Sequence, residues 1–170
     1  MIKKLIFVLL FCATYLGVFS QTREAIDSLQ KQLAAAKDDT SRINAQVNLC
    51  LLYRLGNTDS SIMYGQIALK AAEKINYIQG QISALSLMCI VFEQRGNLPQ
   101  SLDLGFRSLQ LAKQYHLPGL TGPALDGIGE AYILLKDYPK AIGYLRTYIV
   151  NEKSRTSDEG LAYAYFDIGV

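Results

Sequence analysis

From residue 21 onward, apolar residues recur at spacings of three and four, the period of helices that bury one stripe. Ala45, Leu49 and Leu52 share such a stripe, and Ser61, Ile62, Tyr64, Ala68, Leu69 and Ala72 form the next. Between them, 55–59 reads Leu-Gly-Asn-Thr-Asp, which predicts a left-handed Gly56 ending one helix and a polar cap starting the next. The pattern then returns at an offset of 40 residues. Gly56-Asn57 recurs as Gly96-Asn97 and as Lys136-Asp137, and Ser61-Ile62 recurs as Ser101-Leu102 and Ala141-Ile142. Leu69 aligns with Leu109 and Ile149. In the preceding helices, Leu52 aligns with Phe92 and Tyr132, and Leu49 with Cys89, Gly129 and Gly169. Self-similarity at one period marks a stacked array of a single supersecondary unit.

That unit reads as two antiparallel helices. Ser61, Ser101 and Ala141 are small where the two would cross, since a larger side chain would push the backbones apart. Pro99 and Pro139 sit in a first helical turn, where a missing amide costs nothing. Leu117-Pro118-Gly119 breaks the chain between units. The fold class expected is therefore all-α, an α-α superhelix in which helix pairs stack as a right-handed solenoid. Units are expected over 41–76, 77–117 and 118–156. A leading helix lies within 21–40, its Ile26, Leu29 and Leu33 facing the first unit. Segment 157–170 repeats the first helix of a fourth unit and carries Leu161, Tyr165, Phe166 and Ile168. Solenoids end in polar elements, so this apolar end predicts a chain cut within its array and continuing past Val170.

Residues 1–20 read as an address. Lys3 and Lys4 precede a fifteen-residue apolar run, 5–19, shorter than the roughly 20 residues a membrane-spanning helix needs. Small Val18 and Ser20 predict signal-peptide cleavage before Gln21. The expected location is thus outside the cytoplasm, periplasmic or secreted. Cys12 follows bulky Phe11 inside the run, which disfavours a lipid anchor.

The whole chain has 17 basic and 15 acidic residues. Since the leader holds two of the bases and no acid, the remainder is balanced. It lacks the basic face that displaces counterions from nucleic acid. With Cys12 in the leader, the one histidine and two remaining cysteines are too few for a structural zinc site of about four ligands. No phosphate-cradling loop or phosphoacceptor box is visible, and no cofactor is expected. His116 closes a helix, where a cation complements the dipole, with no nucleophile in register. Cys50 and Cys89 lie in apolar stripes of neighbouring first helices and read as small hydrophobes. A disulfide stapling two units is the alternative that export permits. Gly127-Ile128-Gly129 has the spacing that opens a dinucleotide fingerprint, but no strand precedes it, so packing explains it. Asp126 and Glu130 share a helical face without a third partner for acid–base chemistry.

These patterns resemble the tetratricopeptide repeat. The fullest match is Ile128-Gly129-Glu130-Ala131-Tyr132 followed by 136–145, with Lys136-Asp137, Ala141-Ile142 and Tyr144-Leu145. Gly96-Asn97 with Ser101-Leu102 and Ser108-Leu109 is the next. The likeness covers 41–170, although the period of 40 exceeds the family's usual value of about 34 and its frequent tryptophan and terminal proline are missing. The resemblance implies a concave surface, lined by successive first helices, that holds a peptide or another helix. Carried onto this sequence, that groove comprises Gln46, Cys50, Tyr53 and Arg54, then Ser86, Ile90, Glu93 and Gln94. It continues through Asp126, Glu130 and Ile133 to Tyr163 and Phe166. The family's clamp for acidic tails is not matched, because Arg54 is the sole base against Glu93, Asp126 and Glu130. The implied function is a non-catalytic, exported scaffold with a protein or peptide partner.

Ala25-Ile26-Asp27-Ser28-Leu29, followed by Asn-Thr-Asp-Ser-Ser-Ile-Met-Tyr at 57–64, is similar to exported repeat regions of Bacteroidetes-type sensor proteins. In those, such arrays precede a membrane helix and a histidine kinase or DNA-binding regulator. That likeness implies an alternative: an input fragment for signal transduction by phosphorelay, its catalytic part beyond Val170.

Overall fold

A computed structural model describes residues 22–155. The predicted leader at 1–20 and the fourth-unit segment 157–170, with Tyr163 and Phe166, lie outside the described residues. Those described form seven α-helices and no strand: α1 (22–35), α2 (Asp39–Tyr53), α3 (Thr58–Lys74), α4 (Ile78–Gln94), α5 (Leu98–Gln114), α6 (Gly122–Leu134) and α7 (Tyr138–Arg155). A single 3-10 turn, Pro118–Leu120, stands between α5 and α6. The described residues form an all-α superhelix in which, from α2 to α7, each helix packs on its sequence neighbour.

The turns explain why the helices stop where they do. The second helices α3, α5 and α7 begin at Thr58, Leu98 and Tyr138, forty residues apart. Each is preceded by a capping side chain that accepts a backbone amide of the first turn. Asn57 takes Ser60 N at 3.0 Å, Asn97 takes Gln100 N at 3.4 Å, and Asp137 takes Lys140 N at 3.3 Å. Gly96 at φ 73° and Lys136 at φ 60° supply the left-handed residue that ends α4 and α6. There the amides of Asn97 and Asp137 reach back five residues, to Phe92 O and Tyr132 O, both at 2.9 Å.

The first turn breaks this rule. Gly56 is not left-handed, contrary to the expectation from the sequence, and the Asn57 amide reaches back only four residues, to Tyr53 O at 2.8 Å. The turn is one residue tighter, so α2 is shifted by one position against α4 and α6. Cys50, not Leu49, therefore stands where Cys89 and Gly129 stand. Cys50 Sγ lies 3.4 Å from Ser61 Oγ, and Cys89 Sγ lies 3.5 Å from Ser101 Oγ. Likewise Tyr53 is the counterpart of Phe92 and Tyr132. It stacks on Tyr64 at 5.6 Å as Tyr132 stacks on Tyr144 at 5.7 Å.

Within each hairpin the crossing residues Ser61, Ser101 and Ala141 are buried. Ser61 Oγ donates to Cys50 O at 2.6 Å, which satisfies a hydroxyl that burial would otherwise penalise. Between hairpins, glycines admit the next unit. A Cβ at Gly65 would lie 2.6 Å from Met88 Cγ, and one at Gly105 would lie 2.6 Å from Ile128 Cγ1. Those knobs belong to a core of Leu85, Met88, Cys89, Phe92, Leu104 and Ile128. A second core joins Ile43, Val47, Ala68, Ala72 and Ala84 across α2, α3 and α4. Each fully buried Ile or Leu contributes about 1.5–3 kcal/mol.

Candidate functional site

The first helices α2, α4 and α6 touch one another in succession, whereas the second helices α3, α5 and α7 scarcely meet. Units that approach more closely on one side than on the other curve toward the closer side, so α2, α4 and α6 form the inner, concave face. Gly127 lets α6 come close to α4: a Cβ there would sit 2.7 Å from Cys89 Sγ and 3.1 Å from Ile90 Cγ1.

The one-residue shift decides which side chains reach that face. In register, Val47, Leu51, Arg54 and Leu55 of the first unit correspond to Ser86, Ile90, Glu93 and Gln94, and then to Asp126, Glu130, Ile133 and Leu134. Gln46 and Cys50, expected on the exposed face, are instead buried. Cys50 lies against Ser61 of α3, and Gln46 shares the register of core Leu85. Tyr53 is turned onto Tyr64, and its hydroxyl accepts from Gln30 Nε2 at 3.3 Å. Ser86 is also removed from the groove, buried with its Oγ 2.7 Å from Ser108 Oγ. Ile90 is covered where α6 closes over it, only 8% exposed.

Arg54, Glu93, Asp126, Glu130 and Ile133 remain half-buried on this face, and Gln94 is exposed. Leu51 at 43% and Leu55 at 84% exposure join them, two residues that the uniform offset had passed over. The signal was present in the sequence. Tyr53 precedes Asn57 by four residues, while Phe92 precedes Asn97 and Tyr132 precedes Asp137 by five.

Charges from three helices converge here. Burial, then the neighbouring Asp126 carboxylate, push the Glu93 carboxyl above its ordinary range, while Arg54 pulls it back. Among the described residues, neither the Arg54 nor the Glu93 side chain makes a hydrogen bond or ion pair. Ion pairs form elsewhere, as between Arg95 and Asp59 at 2.7 Å or Lys140 and Asp137 at 2.7 Å.

The thiols are not reactive groups. Cys50 and Cys89 are free and buried, so the disulfide alternative is not formed. Burial raises both pKa values, that of Cys89 to about 11, and a thiol held protonated is a poor nucleophile. His116 is exposed and left-handed at φ 54°, closing α5. Gly127 and Gly129 sit inside α6 as contact points, Gly129 against Leu145. Among the described residues, no three His, Cys, Asp or Glu side chains are grouped to hold a metal ion. Nor is any described helix long and apolar enough to cross a membrane.

Fold and face together define a helical-repeat superhelix with an open inner surface. The sequence matches no protein-family model and no curated protein. Among solved structures, the fold is similar to BtubC (BKLC) from P. vanneervenii, with a TM-score of 0.66 and 15% identity. That match covers 88% of this chain and 62% of the other, so this chain spans less than two thirds of that protein's length. At this identity the likeness is one of fold.

Proposed function

We propose that this chain is a tetratricopeptide-type scaffold, without catalysis in these residues, that holds a protein or peptide segment on the concave face of α2, α4 and α6. The observation that carries this is the convergence of half-buried Arg54 and Glu93, neither of them hydrogen-bonded among the described residues, with exposed Leu51 and Leu55 on the inner side. A purely structural array would bury such leucines, and large apolar side chains beside half-buried charges are what binding faces present. The basic start and short apolar run at 1–20 support work outside the cytoplasm.

A photo-crosslinking amino acid at position 51 is expected to capture a polypeptide from the exported fraction. The same group at Met63, exposed on α3, is expected to capture none. With the crosslinker kept at 51, Leu55→Asp should abolish capture while leaving the far-ultraviolet dichroism helical. Equal crosslinking from both positions would remove the concave face from the proposal.

A further inference from the structure

The second helices scarcely meet, so the outer side of the array opens into grooves between successive units. One of them, at the C-terminal end of α5, holds a cavity of about 460 Å³. Leu109, Ala112, Lys113 and His116 of α5 and its closing turn line it, with Pro118 and Thr121 from the connection to α6. Asn151 of α7 donates to Thr121 Oγ1 at 2.9 Å, which brings the third unit's second helix to the cavity's edge. The walls are mostly apolar, and the two basic side chains, Lys113 and His116, are exposed toward the end of α5. No Asp or Glu stands among the described lining residues, and neither basic side chain makes a hydrogen bond or ion pair among the described residues.

Repeat geometry alone does not produce this site. Forty residues earlier, Glu73 stands for Lys113, Asn76 for His116 and Gln81 for Thr121. The two places superpose closely in backbone. Asn76 and His116 are both left-handed at φ 54°, and the amides of Tyr77 and Leu117 reach Ala72 O and Ala112 O, each at 2.8 Å. In the earlier unit, however, the cavity measures about 240 Å³ and its polar groups satisfy one another. Arg107 lies 3.9 Å from Glu73, and Gln81 Nε2 donates to Ala72 O at 3.3 Å. Lys113 and Thr147 replace that ion pair in the next unit, and the space there stays open.

We infer that this outer groove binds a medium-length aliphatic carboxylate, its chain along Leu109 and Ala112 and its anionic head at Lys113 and His116. Small-molecule sites are apolar concavities of about 300–1,000 Å³ with a few polar groups that fix orientation. The run from Leu109 to His116 covers about 10 Å along the helix, about the length of an eight-carbon chain. With bases on the wall and no described acid, an anionic head is favoured over a neutral or cationic one. The site is separate from the concave face, and neither reading depends on the other.

The test titrates the full isotope-labelled chain with octanoate, octan-1-ol and octylammonium, reading backbone amide shifts by nuclear magnetic resonance. Octanoate should give saturable shifts centred on 109–121. Octanol should bind about fivefold more weakly, the worth of one or two exposed ion pairs, and octylammonium more weakly again. Lys113→Glu with His116→Asn, each taking the residue of the preceding unit, should bring octanoate to the affinity of octanol or below and leave octanol unchanged. Lys113→Gln should act in the same direction if the charge reversal disturbs folding. Leu109→Gln should weaken octanoate and octanol alike. Equal binding of octanoate and octanol, or octanoate binding indifferent to the Lys113 and His116 variants, would overturn the carboxylate assignment. Shifts that do not saturate, or that centre on α2 and α4, would overturn the site itself.

Discussion

Gly105→Ala tests whether the seam between the second and third hairpins is as tight as the distances say. The added Cβ would lie 2.6 Å from Ile128 Cγ1 and 2.9 Å from both Ile128 Cδ1 and Cys89 Sγ. Carbon atoms pack best at about 3.5–4.0 Å, so roughly 1 Å must open, against a branched side chain and a helix-bound thiol that are both fully buried. Overpacking of this kind costs about 1–3 kcal/mol. Removing a glycine from a helix interior returns about 0.5–1 kcal/mol. From the middle of each range the net is a loss of about 1 kcal/mol, and at most about 2.5 kcal/mol. The internal control is Gly143→Ala in α7, where a Cβ meets nothing within 4 Å, so only the helical gain of about 0.5–1 kcal/mol remains. Urea unfolding followed by far-ultraviolet dichroism, compared at equal slopes, measures both variants. Gly105→Ala with stability equal to or above that of the parent would refute the claim that this glycine exists to admit Ile128.

Two further outcomes follow from the titrating groups. Because burial raises the folded-state pKa of Glu93, its contribution favours folding while the group is protonated and is lost as pH rises through that pKa. Glu93→Gln should therefore stabilise the array at pH 7, and the advantage should vanish below about pH 4, where both states are protonated. An advantage independent of pH would show that the carboxylate is not the cause. The thiols run the same way at alkaline pH. With Cys89 at about 11 in the fold against 9.0 as its unperturbed value, stability should fall between those limits. Cys50 and Cys89 should react with a thiol reagent at pH 8 only after unfolding, and prompt reaction of the native chain would contradict their burial.

The all-α class, the helix-pair unit and its recurrence were legible because each rests on local chemistry. Asn57, Asn97 and Asp137 cap second helices by bonding an amide three residues on, and the apolar stripes repeat at helical spacing. The groove was less legible. A uniform offset of forty placed Gln46, Cys50 and Tyr53 on the inner face and passed over Leu51 and Leu55. One residue turns a helical face by about 100°, so a single missing turn residue moved Gln46, Cys50 and Tyr53 off the face. Ser86 was misplaced for a different reason: its burial comes from Ser108, 22 positions away on α5.

By itself, then, the order of residues determined the helix-pair pattern and where the second helices α3, α5 and α7 begin, because capping, helical period and turn chemistry act within a few positions of the chain. The tertiary structure decided which sides of those helices face inward. That depends on how the Cys50–Ser61 and Cys89–Ser101 crossings lock each pair and how Gly65 and Gly105 receive Met88 and Ile128 from the next. Contacts between distant residues carry no signature in a local window. They are selected by the space left when all the helices pack at once.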